Sequence, residues 1–123
     1  MKLGGGVGII NPVVEHARTR TSYVVRDPYH NIAGLALYEP RDTPEHRTPN
    51  VAWLDVLAVQ PRLRGMGVGR YLIDHLVEEA ASAGARAIRL RARDDERVVR
   101  FYLNNGFEIE DDQYTPFMRR DIS

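Results

Sequence analysis

The chain of 123 residues contains no cysteine, a single lysine (Lys2) and no apolar run long enough to cross a bilayer. Without cysteine there is no disulfide framework, no thiolate metal site and no cysteine nucleophile, and nothing ties the protein to an oxidising compartment. A cytoplasmic location is the default expectation. Net charge is also lacking: 17 Lys and Arg balance 17 Asp and Glu, so bulk electrostatics give no general attraction to nucleic acid or to an anionic membrane. Met1-Lys2-Leu3, the glycines after it and Val7-Gly8-Ile9-Ile10 are too short and glycine-rich for a signal-peptide core or a membrane span. The four histidines show no metal-ligating spacing: His30 and His46 lie in turns, His75 sits beside Asp74 and near Glu78, and His16 has no identifiable partner. There are no repeats or low-complexity tracts. The length fits one domain, residues 1–123, with one modest core.

What is present concentrates between Trp53 and Ile73. The apolar, strand-like run Trp53-Leu54-Asp55-Val56-Leu57-Ala58-Val59 breaks at Pro61, passes through Arg62 and Arg64 and the alternating glycines Gly65, Gly67 and Gly69, and enters a helix-period stripe of Leu72, Leu76 and Ala80. Glycine lets backbone approach a ligand closely and adopt positive φ, while the first helical N–H groups have no partner inside the helix. Such a turn is an anion site, suited to phosphate. A P-loop would close with Lys-Ser or Lys-Thr, but Arg70-Tyr71 stands there; a dinucleotide fingerprint begun at Gly65 would need its third glycine at Arg70. A glycine-rich turn that binds nothing is the plain alternative. Arg62, Arg64 and Arg70 weigh against it, because a planar guanidinium suits phosphate oxygens.

Around this turn the pattern predicts strands at Thr21 to Arg26 and Ile32 to Glu39 joined by Asp27-Pro28-Tyr29-His30-Asn31, a polar loop from Pro40 to Asn50, and a strand from Val51 to Val59. A helix follows from about Gly67 to Ala83, broadened by Ile73 and Val77 and capped at Gly84. Ala87 to Arg93 alternates, with Ile88, Leu90 and Ala92 on one face and Arg89, Arg91 and Arg93 on a wet one. Asp94-Asp95-Glu96 opens a second helix in which Val98, Phe101 and Tyr102 share a face, so Tyr102 points inward; Asn104-Asn105-Gly106 ends it. Phe107 to Glu110 and Tyr114 to Arg119 form a closing antiparallel pair. Before the first hairpin, Val13 to Arg18 has room for one short helical turn.

Arg64-Gly65-Met66-Gly67-Val68-Gly69 matches the R-x-x-G-x-G motif of the GNAT superfamily of N-acyltransferases, and it follows a strand ending in Val-x-Pro. Arg97 to Phe107, with Tyr102 and the closing Gly106-Phe107, resembles that family's tyrosine-bearing helix. The resemblance runs from about Ser22 to Arg120. It implies an α/β (α+β) fold: a mixed, mostly antiparallel central sheet with a splayed strand pair and two main helices. It also implies acetyl-CoA as co-substrate and an amine acceptor, without metal. By resemblance, the pantetheine arm pairs with the strand at Leu57, Ala58 and Val59, and the pyrophosphate lies on N–H groups of Arg64, Gly65, Met66, Gly67, Val68, Gly69 and Arg70.

Transfer to an amine raises two proton problems, since an ammonium with a reference pKa of about 10.4 cannot attack and a thiol of about 8.5 must leave as thiolate. Tyr102 matches the family tyrosine that protonates the departing sulfur; a core tyrosine with a satisfied hydroxyl is the alternative. Asp55, expected to share a strand face with Trp53, Leu57 and Val59, is the first candidate base, Glu39 the second, and an exposed strand carboxylate the plain alternative. Asp95 stands where many members have an asparagine near the pantetheine. Members usually begin with a strand and two helices, yet only about twenty residues precede the first hairpin here. If that layer is missing, the arginine face is wet or covered by a partner, which points to a homodimer. Two classes remain: an N-acetyltransferase for a small-molecule or protein amine, and a catalytically weak acyl-CoA-binding module. Nucleic-acid binding through the arginine face is disfavoured by the zero net charge.

Overall fold

The computed structural model describes residues 9–14, 21–39, 50–111 and 113–122. Among them, β1 (Ile9–Val14), β2 (Thr21–Arg26), β3 (Ile32–Glu39), β4 (Val51–Val59), α1 (Val68–Ser82), β5 (Ala87–Arg91), α2 (Glu96–Asn104), β6 (Glu108–Ile109) and β7 (Phe117–Asp121) follow in sequence, with a 3₁₀ turn at Pro61–Leu63. The strands make one sheet in the order β1-β2-β3-β4-β5-β7-β6. β4 and β5 run parallel, and the other described pairs are antiparallel. The mixed, mostly antiparallel sheet with two main helices is the architecture expected.

Each turn has a local cause. Asp27 Oδ1 accepts the N–H groups of Tyr29 and Asn31, both at 2.9 Å, and His30 takes φ of 68°, so the β2–β3 connection is an Asx-type turn. Gly84 at φ 89° ends α1, with Ala85 N–H donating to Ala80 O and Gly84 N–H to Ala81 O. α2 ends the same way at Gly106: Phe107 N–H donates to Tyr102 O and Gly106 N–H to Leu103 O. Both are Schellman ends, which satisfy carbonyls a helix otherwise leaves open.

α1 and α2 cover one sheet face. Leu72, Ile73, Leu76 and Ala80 are fully buried against Ala36, Ala52, Leu54, Ile88 and Leu90. Each of the larger side chains contributes ~1.5–3 kcal/mol by leaving water. On the opposite face Val51, Trp53 and Ala87 are buried, with Phe117 packed on them.

On that second face Arg91 is exposed and Arg89 half-buried, as the alternation predicts, and both also lie over aromatic rings. The Arg89 guanidinium lies 4.7 Å over the Trp53 ring and 5.3 Å from that of Phe117, and Arg91 lies 4.9 Å over Phe117. Arg89 Nε also donates to Glu110 Oε1 at 2.7 Å. Planar cations here cover the sheet's own aromatics. β5 ends at Arg91, so Arg93 falls outside the strand.

Two further corrections bear on the site. Val13 and Val14 belong to β1, opposite Ser22 and Thr21, instead of starting a helical turn; residues 15–18 of that expected turn lie outside the described residues. Within β4, Leu37 faces Val56 but Tyr38 faces Leu54, so Asp55 is an extra, bulged residue. The bulge shifts the alternation. Leu57 and Val59 therefore pack on the helix-facing core, whereas Trp53 lies on the other face, and the single face expected for Trp53, Asp55, Leu57 and Val59 does not exist.

Candidate active site

The bulge also marks where β4 leaves β5. Their ladder runs from Val51 opposite Ala87 to Leu54 opposite Leu90 and stops. From Asp55 to Val59, β4 keeps β3 on one side and has no ladder with β5 on the other, while β5 continues with β7 up to Arg91 and Phe117. This is the splayed strand pair, and an extended chain can pair with such an edge by β-strand addition.

At the end of β4, Gln60 N–H donates to Ala33 O at 2.9 Å and fastens the chain to β3. Pro61 sets the 3₁₀ turn, whose Leu63 is buried as an anchor. Arg64 N–H turns inward to Pro61 O and Met66 N–H to Leu63 O, both at 3.3 Å. Those two donors are spent internally, so the open set is narrower than the whole run Arg64 to Arg70. Gly65 at φ 80° and Gly67 at φ 87° carry the backbone through the left-handed region into α1. Gly67 O accepts Tyr71 N–H, leaving the N–H groups of Val68, Gly69 and Arg70 in the unpaired first turn.

The two helix N-termini differ in a way that bears on ligand choice. α2 is satisfied from within: Asp95 Oδ1 accepts Arg97 N–H at 2.9 Å, and Glu96 lies in the first turn. α1 has neither a capping side chain nor an acidic residue in its first turn. Its positive end is therefore open to an external anion, with exposed Arg64 and Arg70 beside it. Arg62 is committed elsewhere, its Nη2 lying 3.6 Å from Asp27 Oδ2. For Asp27, burial opposes ionisation, but the N–H groups of Asn31 and Tyr29 and the Arg62 charge outweigh it and hold the carboxyl below its ordinary value.

Tyr102 sits on α2 at 8% exposure, its ring edge-to-face with Phe101 at 5.2 Å and with Phe107 at 5.4 Å. Burial pushes its phenol up to about 12, so it stays protonated and able to donate across the neutral range. α2 docks on the glycine turn directly, since a Cβ placed on Gly69 would fall 2.8 Å from Phe101 Cζ. Asp55 is exposed on the bulge. Glu39 is buried at the end of β3, opposite Trp53 in the ladder.

Several contacts escaped the sequence. A Cβ at Gly34 would meet Val68 Cγ1 at 2.9 Å and Ala58 O at 3.0 Å, so this glycine lets the first turn of α1 lie on β3. An isolated glycine in an apolar strand was the available signal. Tyr23 donates to Glu79 Oε2 at 3.2 Å and stacks at 5.5 Å on Tyr38 and edge-on at 4.7 Å to His75, a network beneath α1 that no periodicity announces.

The profile of the acetyltransferase (GNAT) family matches residues 10–107, and the chain belongs to that family. Its fold is similar to that of a GNAT-family protein from Desulfovibrio desulfuricans, with TM-score 0.76 and 24% identity over 88% of this chain and 73% of that one. An acetyltransferase of the GNAT family from Staphylococcus aureus gives TM-score 0.69 and 20% identity, covering 85% and 68%. PaiA N-acetyltransferase from Thermoplasma acidophilum, solved in complex with coenzyme A, gives 0.70 and 19%, covering 84% and 61%. At these identities the likeness is one of fold. No curated protein matches the chain significantly. Among the described residues no helix is long and apolar enough to cross a membrane, and no group of three or more His, Asp or Glu side chains is arranged to hold a metal ion.

Proposed function

We propose that the protein transfers an acetyl group from acetyl-CoA to a primary amine of a small molecule or protein, by direct attack within a ternary complex. The observation that carries this reading is the conjunction of an uncapped α1 N-terminus, a β4 edge that β5 has left, and the Tyr102 helix packed against that same turn. The coenzyme A complex of the Thermoplasma PaiA enzyme, which shares the fold, supports the choice of donor.

In this reading Leu57, Ala58 and Val59 offer backbone groups to the pantetheine amides. Gly65, Gly67, Val68, Gly69 and Arg70 turn N–H groups to the pyrophosphate, and Arg64 and Arg70 add charge. Each hydrogen bond to a charged oxygen contributes ~1.5–3 kcal/mol, and the helix dipole about 0.3–1 kcal/mol. Asp95 lies at the mouth of α2, but its carboxylate already caps that helix, so any contribution to the pantetheine comes from its remaining oxygen. Asp55, at the point of splay, takes the proton of the ammonium, directly or through water. The freed amine nitrogen attacks the thioester carbonyl carbon, the carbon–sulfur bond breaks as the amide forms, and the nitrogen sheds its second proton, which passes through water to restore the Tyr102 phenol once that group has donated. Tyr102 then gives its proton to the departing thiolate.

A panel of primary amines, assayed for free thiol released from acetyl-CoA, tests the proposal. Amine-dependent release that Tyr102→Phe abolishes supports the enzyme. Binding of acetyl-CoA with no release for any amine favours the non-catalytic module.

A further inference from the structure

We infer that Gly69 and Phe101 form a packing contact that positions Tyr102, and that glycine stands at 69 to admit the Phe101 ring. The inference rests on the reading of Tyr102 as proton donor. The three motif glycines do different work. Gly65 and Gly67 have φ of 80° and 87°, where L side chains are strained, and a Cβ at Gly65 would meet nothing within 4 Å. Gly69 is not among the positive-φ residues, so its backbone would accept any side chain. What excludes one is space: a Cβ there would lie 2.8 Å from Phe101 Cζ and 3.0 Å from Cε1, with Val59 Cγ2 at 3.7 Å.

The Cβ direction of Gly69 thus points into α2. Its N–H, the atom offered to an anion, survives any substitution except proline. The first turn of α1 cannot retreat from the ring, because on its other side the absent Cβ of Gly34 already leaves Val68 Cγ1 and Leu72 Cδ1 packed close on β3. Strain at position 69 therefore passes to Phe101. The neighbouring Tyr102 ring is edge-to-face with Phe101 at 5.2 Å and held behind by buried Phe107 at 5.4 Å. Movement of Phe101 moves Tyr102, and a displacement of ~1 Å at a reacting group can lower a rate by about 10²-fold.

The test separates binding from turnover. Acetyl-CoA affinity by calorimetry and kcat with an accepted amine are measured for wild type, Gly69→Ala, Phe101→Leu, the double variant and Tyr102→Phe. The expected result is that Gly69→Ala holds acetyl-CoA within about threefold of wild type but loses about tenfold or more in kcat. Phe101→Leu in that background, by removing the ring atoms the new methyl meets, raises kcat above that of Gly69→Ala to the level of Phe101→Leu alone. Should Gly69→Ala fail to fold, Phe101→Leu alone serves: loss of the ring lowers kcat with affinity kept. Loss of acetyl-CoA affinity at unchanged kcat, or a double variant no better than Gly69→Ala, overturns the inference while the donor role stands if Tyr102→Phe is inactive. Full turnover by Tyr102→Phe overturns the donor reading and this inference with it.

Discussion

Asp27 and Arg62 tie the tip of the β2–β3 hairpin to the 3₁₀ turn that leads into the glycine turn, with Oδ2 and Nη2 3.6 Å apart. Asp27 holds the hairpin with its other oxygen through Tyr29 and Asn31 N–H. One carboxylate therefore shapes a turn on β3 and steadies the approach to the glycine turn. Its pKa is depressed in the folded state, so its contribution to stability is complete above the ordinary carboxylate value of 3.8 and is lost as pH falls through the folded value. Asp27→Asn is expected to lower the melting temperature at neutral pH by a few degrees. The difference from wild type begins to narrow below pH ~4 and closes as pH falls through the lowered folded value, where the wild-type carboxyl takes up its proton. Thermal melts between neutral pH and pH ~3 read this directly, and a difference that stays constant with pH would count against the ion pair.

Tyr102→Phe removes one hydroxyl and leaves the rings packed on Phe101 and Phe107. Acetyl-CoA binding is expected to persist while kcat falls by about 10² or more, the range of a lost general acid. Because burial raises the phenol to about 12, the wild-type kcat stays level until an alkaline limb well above pH ~10. A limb below pH ~9 would assign the titrating acid to another group.

Asp55→Asn keeps the shape of the bulge and removes the proposed base. Turnover at neutral pH is expected to drop about 10-fold to 10²-fold and to recover as pH climbs toward the amine pKa of about 10.4, where the acceptor is already neutral. Measuring kcat/KM for the amine against pH decides it; a loss equal at all pH values points to a structural role for the bulge.

Gly67→Val places a β-branched side chain at φ 87°, which costs on the order of 1–2 kcal/mol and distorts the turn that presents Val68, Gly69 and Arg70. Acetyl-CoA affinity is expected to fall at least tenfold. Met66, at 41% exposure, points away, so Met66→Ala changes affinity by less than about threefold, a surface substitution free of strain. Equal losses in the two variants would contradict the account of the turn.

Much of this was legible in the residues because the signals were local. The alternation of Ile88, Leu90 and Ala92, the stripe of Leu72, Leu76 and Ala80, and the stops at Gly84 and Gly106 each depend on neighbours a few positions apart, and each marks its element. The bulge at Asp55 was not legible, because a one-residue slip is fixed by how β3 lies against β4, and the apolar run through β4 permits either alternation. The ring partners of the β5 arginines were not legible for a related reason: Trp53 and Phe117 come from other strands. At the site, the spacing of Gly65, Gly67 and Gly69 announced a tight turn into a helix, but the closeness of Gly69 to Phe101 of α2 could not be read from spacing. Asp55 and Tyr102 were chosen by position in a motif, and only the splay of β4 from β5 gives Asp55 a place beside the proposed thioester path.

The most direct test of the central claim is a calorimetric titration of the wild-type protein with acetyl-CoA, without amine. Saturable one-to-one binding, with a Kd in the range of roughly 1 μM to 1 mM usual for enzyme substrates and weakened by Gly67→Val, is the result predicted. Absence of saturable binding, or binding indifferent to Gly67→Val, would contradict it.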